Sequence, residues 1–326
     1  MVILLVALAL LFSFMNGMHD SRNVVSTIVS SRSYSPHVAL GITAVAELCG
    51  PFIFGLAVAQ TLGRDIIAPA AINSRVLLVA LCSAILWNLI TWFVRLPSSS
   101  SHALIGGLLG AASMQTGAKA ILVKGLFKIL LSLFVSPIIG FLFGFFLLKA
   151  ILFLCRNATP RINRFFKRSQ MITALALGLT HGSNDGQKSM GMIMLALVAG
   201  GYSSTFSIPI WVVGVSALAL ALGTAVGGWR LLHTVGGISF YQIRPVDGFS
   251  AQVTSALIVL IASLLGGPVS VTQIIHSSIM GIGAAERANK VRWNMAGNII
   301  TAWVLTIPAT AFVAGGIYLL VSRLFF

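Results

Sequence analysis

Two short polar motifs, set in otherwise apolar sequence, contain the residue types that bind ions. The segment NGMHD at Asn16–Asp20 returns as HGSND at His181–Asp185, 165 residues later, so that an Asn and a His exchange places around a fixed Gly and a fixed Asp. An ionised carboxylate deep in a membrane costs at least about 2.5–3.5 kcal/mol, so it persists only when it is paired, hydrated or functional. With an amide or imidazole beside it, each Asp offers the oxygen ligands of a sodium ion, or a protonation site. The motifs therefore predict a cation site, and helix capping or pairing with Arg22 or Lys188 is the structural alternative.

A second pair of motifs offers hydroxyl groups. The segment Pro97–Ser101 (PSSSS) is similar to Pro268–Thr272 (PVSVT), which lies 171 residues later. In each, the proline ends an apolar run and the hydroxyl residues can start a new helix, whose free backbone N–H groups attract an anion. Ordinary helix capping explains a single turn of this kind, but two turns in register with the Asp motifs favour an anion site. Its candidate ligands are Ser99, Ser100, Ser101, Ser270 and Thr272.

The elements that position these motifs must lie in a membrane. The chain has 326 residues, of which 57% are hydrophobic and only 8% charged, and its mean hydropathy is +0.99. About 20 apolar residues cross a bilayer. Four charge-free stretches reach that length, namely Val76–Val94, Ile129–Leu148, Ile208–Gly228 and Trp293–Val321. Composition thus predicts an all-α integral membrane protein with roughly 10–12 membrane segments.

Charge predicts the orientation of the chain. The net charge is +15, which in a soluble domain would suggest nucleic acid, but here the basic residues lie between apolar runs and face lipid headgroups, so we expect no nucleic-acid partner. The densest basic segment, at 156–170, is expected to lie in the cytoplasm of a multi-pass membrane protein. The opening run Met1–Phe14 has no basic start and no cleavage site, which predicts that it is retained in the mature protein.

The repeated motifs indicate an internal duplication. Gly110 also matches Gly281, so several matches occur in one order at nearly one offset. We predict a first transmembrane repeat at 1–155, a basic cytoplasmic linker at 156–170 and a second repeat at 171–326, inverted if each half crosses an odd number of times. The apolar segments before the Asp motifs, Met1–Phe14 and Met171–Thr180, are short, which predicts broken or re-entrant helices at both motifs. Such interruptions at matching places indicate a transporter binding site.

Other titratable and polar residues are less specific. Glu47 lies in an apolar run, where it can be protonated, pair with a neighbouring helix or take part in proton coupling. His19 and His181 can titrate near neutral pH or act as neutral hydrogen-bonding groups. Lys188 follows Asp185 at the place that Asn23 holds after Asp20, so its ammonium can touch the anion or replace a sodium ion.

These residues resemble the paired signatures of the inorganic phosphate transporter (PiT) family, of the bacterial low-affinity phosphate permease type. The resemblance rests on Phe14–Asn23 (FMNGMHDSRN), Leu179–Gly191 (LTHGSNDGQKSMG), the PSSSSH and GGPVSVT segments, and Gly281–Trp293. It implies a symporter with two inverted repeats and phosphate at their interface. The implied cation ligands are Asn16, Asp20, Asn23, Asn184 and Asp185; the implied phosphate ligands are the five hydroxyl residues, with Gln187 and Lys188 as second-rank neighbours of either ion. This chain departs from the family pattern at His19, where many members have Asn, at Arg22, and in the SSSSH run.

Three functional hypotheses follow. The first is phosphate symport with sodium or a proton by alternating access, with sodium possible at Asp20 and Asp185, no cofactor and possible homodimers. The second is sulfate transport, because sulfate is also a tetrahedral oxyanion. The third is a membrane-embedded metal hydrolase using His19, Asp20, His181 and Asp185, although no clear nucleophile accompanies them and we expect no enzyme activity.

Overall fold

The computed structural model describes residues 1–94, 98–227 and 243–325, so Pro97 of the first hydroxyl turn lies outside the described residues. The described secondary structure is helical, apart from one isolated bridge between Ile67 and Ile121. Short 3-10 turns lie at Pro69–Ala71, Ala118–Ala120 and Ala288–Lys290. The α-helices are α1 (Val2–Ser30), α2 (Pro36–Ile53), α3 (Ala57–Arg64), α4 (Ser74–Val94), α5 (Ser100–Thr116), α6 (Val123–Leu154), α7 (Ile162–Ala199), α8 (Ile210–Gly227), α9 (Pro245–Leu264), α10 (Val271–Glu286) and α11 (Trp293–Phe325).

The helices are those of an integral membrane protein. Within the described ranges, seven helices are long and apolar enough to cross a bilayer: α1, α2, α4, α6, α8, α9 and α11. The 38-residue α7 is longer than any of these, but its second half contains the polar motif that lowers its hydropathy. The prediction of an all-α integral membrane fold is confirmed.

Helix order repeats along the chain. The succession α1, α2, α4, α5, α6 returns as α7, α8, α9, α10, α11, with a 3-10 turn before the last helix of each series. The last helices each contain an internal proline, Pro137 in α6 and Pro308 in α11, 171 residues apart. The basic segment predicted as a linker includes the start of α7 at Ile162.

The two copies of the first helix run in opposite directions. At one end, Ser31 just after α1 donates a hydrogen bond of 2.9 Å to Gln170 near the start of α7. At the other end, Val2 at the start of α1 lies against Gly200 at the end of α7. The repeats are therefore inverted with respect to each other.

Close helix packing follows the same symmetry. A Cβ on Gly17 of α1 would lie 2.1 Å from the Leu220 carbonyl oxygen of α8, and a Cβ on Gly182 of α7 would lie 2.3 Å from the Glu47 carbonyl oxygen of α2. Gly17 and Gly182 are equivalent in the repeat. Each motif helix therefore packs on the second helix of the other half, at a distance that only glycine permits.

The Asp motifs do not lie at helix interruptions, and that part of the sequence prediction was wrong. Met1–Phe14 and Met171–Thr180 belong to the continuous helices α1 and α7, which run through both motifs. The polar motif residues lower the hydropathy but leave the backbone helical, because their side chains find partners on neighbouring helices.

The chain breaks instead at the two hydroxyl turns. The helices that follow them, α5 and α10, have only 17 and 16 residues. Both begin inside the protein, since Ser100 is 4% and Ser270 is 3% exposed. These are the interrupted elements of the fold, and their first turns contact Asp20 on α1 and Lys188 on α7.

Candidate functional site

Asp20 on α1 is held by a hydroxyl from the other half of the chain. Its Oδ1 accepts a hydrogen bond of 2.5 Å from Thr272 Oγ1, on the first turn of α10. Asn23, one turn further along α1, directs its Nδ2 to the same oxygen at 3.5 Å and to Thr272 Oγ1 at 3.2 Å. His19 Nδ1 lies 3.6 Å from Asp20 Oδ1. A motif carboxylate and a turn hydroxyl, predicted as parts of two ion sites, are thus in direct contact.

Asp185 on α7 has the equivalent surroundings with different chemistry. Asn16 of α1 donates a hydrogen bond of 2.6 Å to its Oδ2. Lys188, one turn further along α7, places its Nζ 2.7 Å from Oδ1. This carboxylate therefore binds an ammonium where the other binds neutral donors.

His181 connects the two carboxylates to a third. Its Nδ1 lies 2.7 Å from Oε1 of Glu47 on α2, and its Nε2 lies 3.9 Å from Asp20 Oδ2 and 3.6 Å from Asp185 Oδ2. Ligand atoms of Asp20, His181 and Asp185 all lie within 4.8 Å of one another, so these residues could share one cation. A carboxylate behind a histidine fixes the orientation of the imidazole, as it does around metal ions.

This interior contains five buried ionisable groups. Asp20, Glu47, Asp185, His181 and Lys188 are each at most 3% exposed. Buried charges require partners. Lys188 pairs with Asp185, and His181 lies next to all three carboxylates, which are the groups that a mobile cation could join.

The two hydroxyl turns meet each other. Ser101, on the first turn of α5, donates a hydrogen bond of 2.9 Å to the Val269 carbonyl oxygen of the second turn. It also accepts one of 2.5 Å from Lys188 Nζ, which lies 3.3 Å from the same carbonyl oxygen. The helix N-termini that follow the turns are therefore side by side, next to the antiparallel pair formed by α1 and α7.

Some predicted ligands hold the turns in place. Ser99 accepts a hydrogen bond of 3.3 Å from the backbone N–H of His102, which is ordinary N-capping of α5. Asn184 donates to the Gly267 carbonyl oxygen at 3.3 Å and accepts from the Val269 N–H at 3.2 Å. Ser270 is the N-cap residue of α10 and Ser100 the first residue of α5, both buried.

Gln187 contributes to a different element. Its Oε1 accepts hydrogen bonds from the backbone N–H groups of Val58 and Ala59 at 2.8 and 3.1 Å, and so caps the start of α3. Its Nε2 donates to Ser183 one turn earlier at 3.3 Å. The structure thus places Gln187 in a contact between helices.

Two features of the site were not identified from the sequence. The Val269 carbonyl oxygen had no sequence signal, because every residue type supplies a backbone carbonyl. The other is the pair of His102 Nδ1 and Gln273 Nε2, which are 3.2 Å apart and join α5 to α10. These residues lie 171 positions apart, at equivalent places of the repeat, so the offset could have revealed them.

Comparison with known proteins indicates one family. The sequence model described as "Phosphate transporter family" matches residues 16–314. The chain is 43% identical over 316 residues to a probable low-affinity inorganic phosphate transporter of Rhizobium meliloti (strain 1021), covering 96% of this chain and 94% of that protein. It is 41% identical over 329 residues to a protein of the same description from Bacillus subtilis (strain 168), covering 100% of this chain and 98% of that protein.

A solved structure has the same fold. It is described as "The sodium-dependent phosphate transporter" and superposes with a TM-score of 0.90, covering 99% of both chains at 23% sequence identity. This similarity confirms the all-α membrane architecture of the described residues.

Proposed function

Because this chain belongs to the phosphate transporter family, we propose that it moves inorganic phosphate through the membrane by symport with a cation, using alternating access. Members of this family are transporters and not enzymes, so the metal hydrolase hypothesis does not hold. The observation that carries the proposal is the contact between the two kinds of motif: Thr272 of a hydroxyl turn donates its hydrogen bond to Asp20 of an Asp motif.

Phosphate would bind between the two hydroxyl turns. The N-termini of α5 and α10 are adjacent and buried, and an anion there meets free backbone N–H groups and the positive ends of two helices. Its proposed ligands are Ser99, Ser100, Ser101, Ser270 and Thr272, with Lys188 and Gln187 nearby. Ser101 and Thr272 are the leading candidates, because each lies on the first turn of its helix and faces a motif residue.

The cation would bind at the Asp motifs. The proposed ligands are Asn16, Asp20, Asn23, Asn184 and Asp185. Sodium is the cation we favour, because the carboxylate of Asp20 and the hydroxyl oxygen of Thr272 lie together with the side-chain amide of Asn23 beside them, and because the structurally similar protein is described as sodium-dependent. A proton is the alternative, with His19, His181 and Glu47 as the residues that would carry it.

The contact between Thr272 and Asp20 suggests how the two ions are coupled. A hydroxyl has one proton to donate, and that of Thr272 is engaged by the carboxylate. A cation on Asp20 would replace this proton as the partner of the carboxylate, so that Thr272 can donate to phosphate. The cation would also neutralise a carboxylate that repels the anion. Each ion therefore favours the binding of the other, which is the requirement for symport.

The proposed setting in the cell rests on the similarity to bacterial transporters and on the charges. We propose that the chain lies in the bacterial inner membrane, with the basic segment 156–170 in the cytoplasm between the repeats 1–155 and 171–326. We also propose that the chain forms homodimers. The outer faces of its helices would contact the lipid bilayer.

Uptake of labelled phosphate into liposomes tests the function. We expect Asp20→Asn and Asp185→Asn, alone and together, to abolish accumulation, because the first change removes the charge that holds the cation and the second leaves the buried Lys188 ammonium without its carboxylate. Gly41→Ala, whose new Cβ has no neighbour within 4 Å, serves as a control for reconstitution. Normal uptake by the double variant would refute the symport proposal. Sulfate in excess is expected to leave phosphate uptake unchanged, and strong competition would instead favour sulfate as a substrate.

A further inference from the structure

The two ion-binding clusters are related by the repeat, and one member differs in charge. In the first cluster, defined as Asp20, Asn23 and Thr272, the carboxylate oxygen is approached by a hydroxyl at 2.5 Å and by an amide nitrogen at 3.5 Å. The second cluster consists of Asp185, Lys188 and Ser101. By the repeat, these residues are equivalent to Asp20, Asn23 and Thr272, in that order. In the second cluster, the carboxylate and hydroxyl are bridged by the ammonium, at 2.7 and 2.5 Å.

The ammonium of Lys188 has the coordination of a bound cation. Its three N–H groups face three oxygens of different kinds: the Asp185 carboxylate, the Ser101 hydroxyl, and the Val269 carbonyl at 3.3 Å. The side chain is 1% exposed, so water does not replace these oxygens. Carboxylate, hydroxyl and carbonyl oxygens are also the ligands that hard metal cations select in proteins. An amide at this position, as in the first cluster, would leave the oxygens without a cation.

We propose that Lys188 is a tethered cation that permanently fills the cation position of the second cluster, so that only the first cluster takes up a mobile cation with each phosphate. This inference rests on the proposed symport function and concerns its stoichiometry. The ammonium would neutralise Asp185 and face the anion as a mobile ion does, but it cannot cross the membrane with the substrate. A chain with asparagine at position 188 would require one more mobile cation for each phosphate transported.

A purely structural ion pair would behave differently. Removing one partner of a buried pair leaves an uncompensated charge and destabilises the protein. If Lys188 only joins α7 to α5, Lys188→Asn and Lys188→Met are equally harmful and neither responds to sodium. If it replaces a cation, Lys188→Asn restores the ligand set of the first cluster and binds sodium there, whereas methionine fills the volume without offering an oxygen.

The test compares these two variants of the full-length protein in detergent and in liposomes. We expect sodium chloride to raise the Tm of Lys188→Asn by about 3 °C more than that of wild type or of Lys188→Met, with choline chloride as the salt control. In liposomes, we expect the dependence of phosphate uptake on sodium concentration to become steeper in Lys188→Asn, with an apparent order higher by about one. In the first cluster, Asn23→Lys is expected to remove the dependence on sodium.

The possible outcomes are distinct. An equal response of both Lys188 variants to sodium, in Tm and in the order of uptake, would overturn the tethered cation. Wild-type protein that takes up no phosphate under any cation gradient would refute the proposed symport function. The Tm comparison remains decisive in that case, because sodium binding to the asparagine variant requires no transport.

Discussion

The buried aspartates depend on donors from across the interface of the two halves. Asp20 receives its shortest hydrogen bond from Thr272 of α10, and Asp185 receives one from Asn16 of α1 at 2.6 Å. Each carboxylate therefore has its full set of partners only when the two halves are assembled around it. Such hydrogen bonds between the halves stabilise charged groups in the interior of a membrane protein, where an unpaired charge has a high free-energy cost.

Thr272 is expected to be more important for phosphate than any other turn hydroxyl. We predict that Thr272→Val, which keeps the shape but removes the donor, raises the KM for phosphate by roughly ten-fold or more, since a hydrogen bond to a charged group contributes about 1.5–3 kcal/mol. Thr272→Ser keeps the hydroxyl and should remain near wild type. Initial rates of uptake over a range of phosphate concentrations give the KM. Equal values for the valine and serine variants would show that the hydroxyl has no role.

Glu47 is expected to contribute to stability through His181. Glu47→Ala removes the oxygen that lies 2.7 Å from the imidazole, and an unsatisfied buried donor costs about 1–3 kcal/mol. Glu47→Gln retains an oxygen and should cost less. Thermal unfolding in detergent is expected to rank the Tm values as wild type, then the glutamine variant, then the alanine variant. An alanine variant with wild-type Tm would contradict this role.

The sequence predicted the types of the site residues better than their individual contacts. The carboxylates and the two hydroxyl turns could be found because the motifs recur at a nearly constant offset. For Ser99 the sequence left helix capping and anion binding open, and it gave no sign that Gln187 binds the start of α3. The same side chains serve capping, packing and ion binding, and only geometry separates these uses.

At the scale of the helices, hydropathy and backbone continuity are separate properties. A sequence window sees the motif at Asn16–Asp20 as the end of an apolar segment, but α1 continues through it, since its polar side chains are satisfied by other helices. The helical backbone is interrupted at Ser98 and Ser99 before α5 and at Pro268–Ser270 before α10. The sequence therefore predicted correctly that some helices are interrupted, but it placed the interruptions at the Asp motifs, where the helices are continuous.

Glycine contacts between helices set how closely the halves approach. We predict that Gly182→Ala destabilises the protein by about 1–3 kcal/mol, because its Cβ would lie 2.3 Å from the Glu47 carbonyl oxygen and would push α7 away from α2. The matched control is Gly41→Ala on α2, where the new Cβ meets nothing within 4 Å and a change within about 0.5 kcal/mol is expected. Thermal unfolding measures both. Equal Tm values would contradict the close packing.

In the whole molecule, the two repeats are inverted and the first helix of each packs on the second helix of the other, so the two halves form one unit. The α1 helix packs on α8 and α7 packs on α2, so each half completes the other. An inverted pair around a central site can open to either side by exchanging the conformations of its halves, which is the basis of alternating access in secondary transporters.

Inversion leads to a prediction about topology. Position 157, before α7, and position 202, after it, lie beyond opposite ends of the same long helix. In a variant with its three native cysteines replaced, we expect Asn157→Cys to react with a membrane-impermeant thiol reagent only from the cytoplasm, and Tyr202→Cys only from outside. Labelling of both positions from one side would contradict the orientation.

Phosphate accumulation in liposomes under imposed gradients decides whether the chain couples phosphate to sodium. Purified protein is reconstituted, and labelled phosphate uptake is followed with a sodium gradient alone, then with a proton gradient alone, at equal phosphate inside and out. We expect accumulation above the external concentration under the sodium gradient, dependent on Asp20. Accumulation under the proton gradient alone would retain symport and assign the coupling to His19, His181 and Glu47. Phosphate that only equilibrates under both gradients would refute cation-coupled symport.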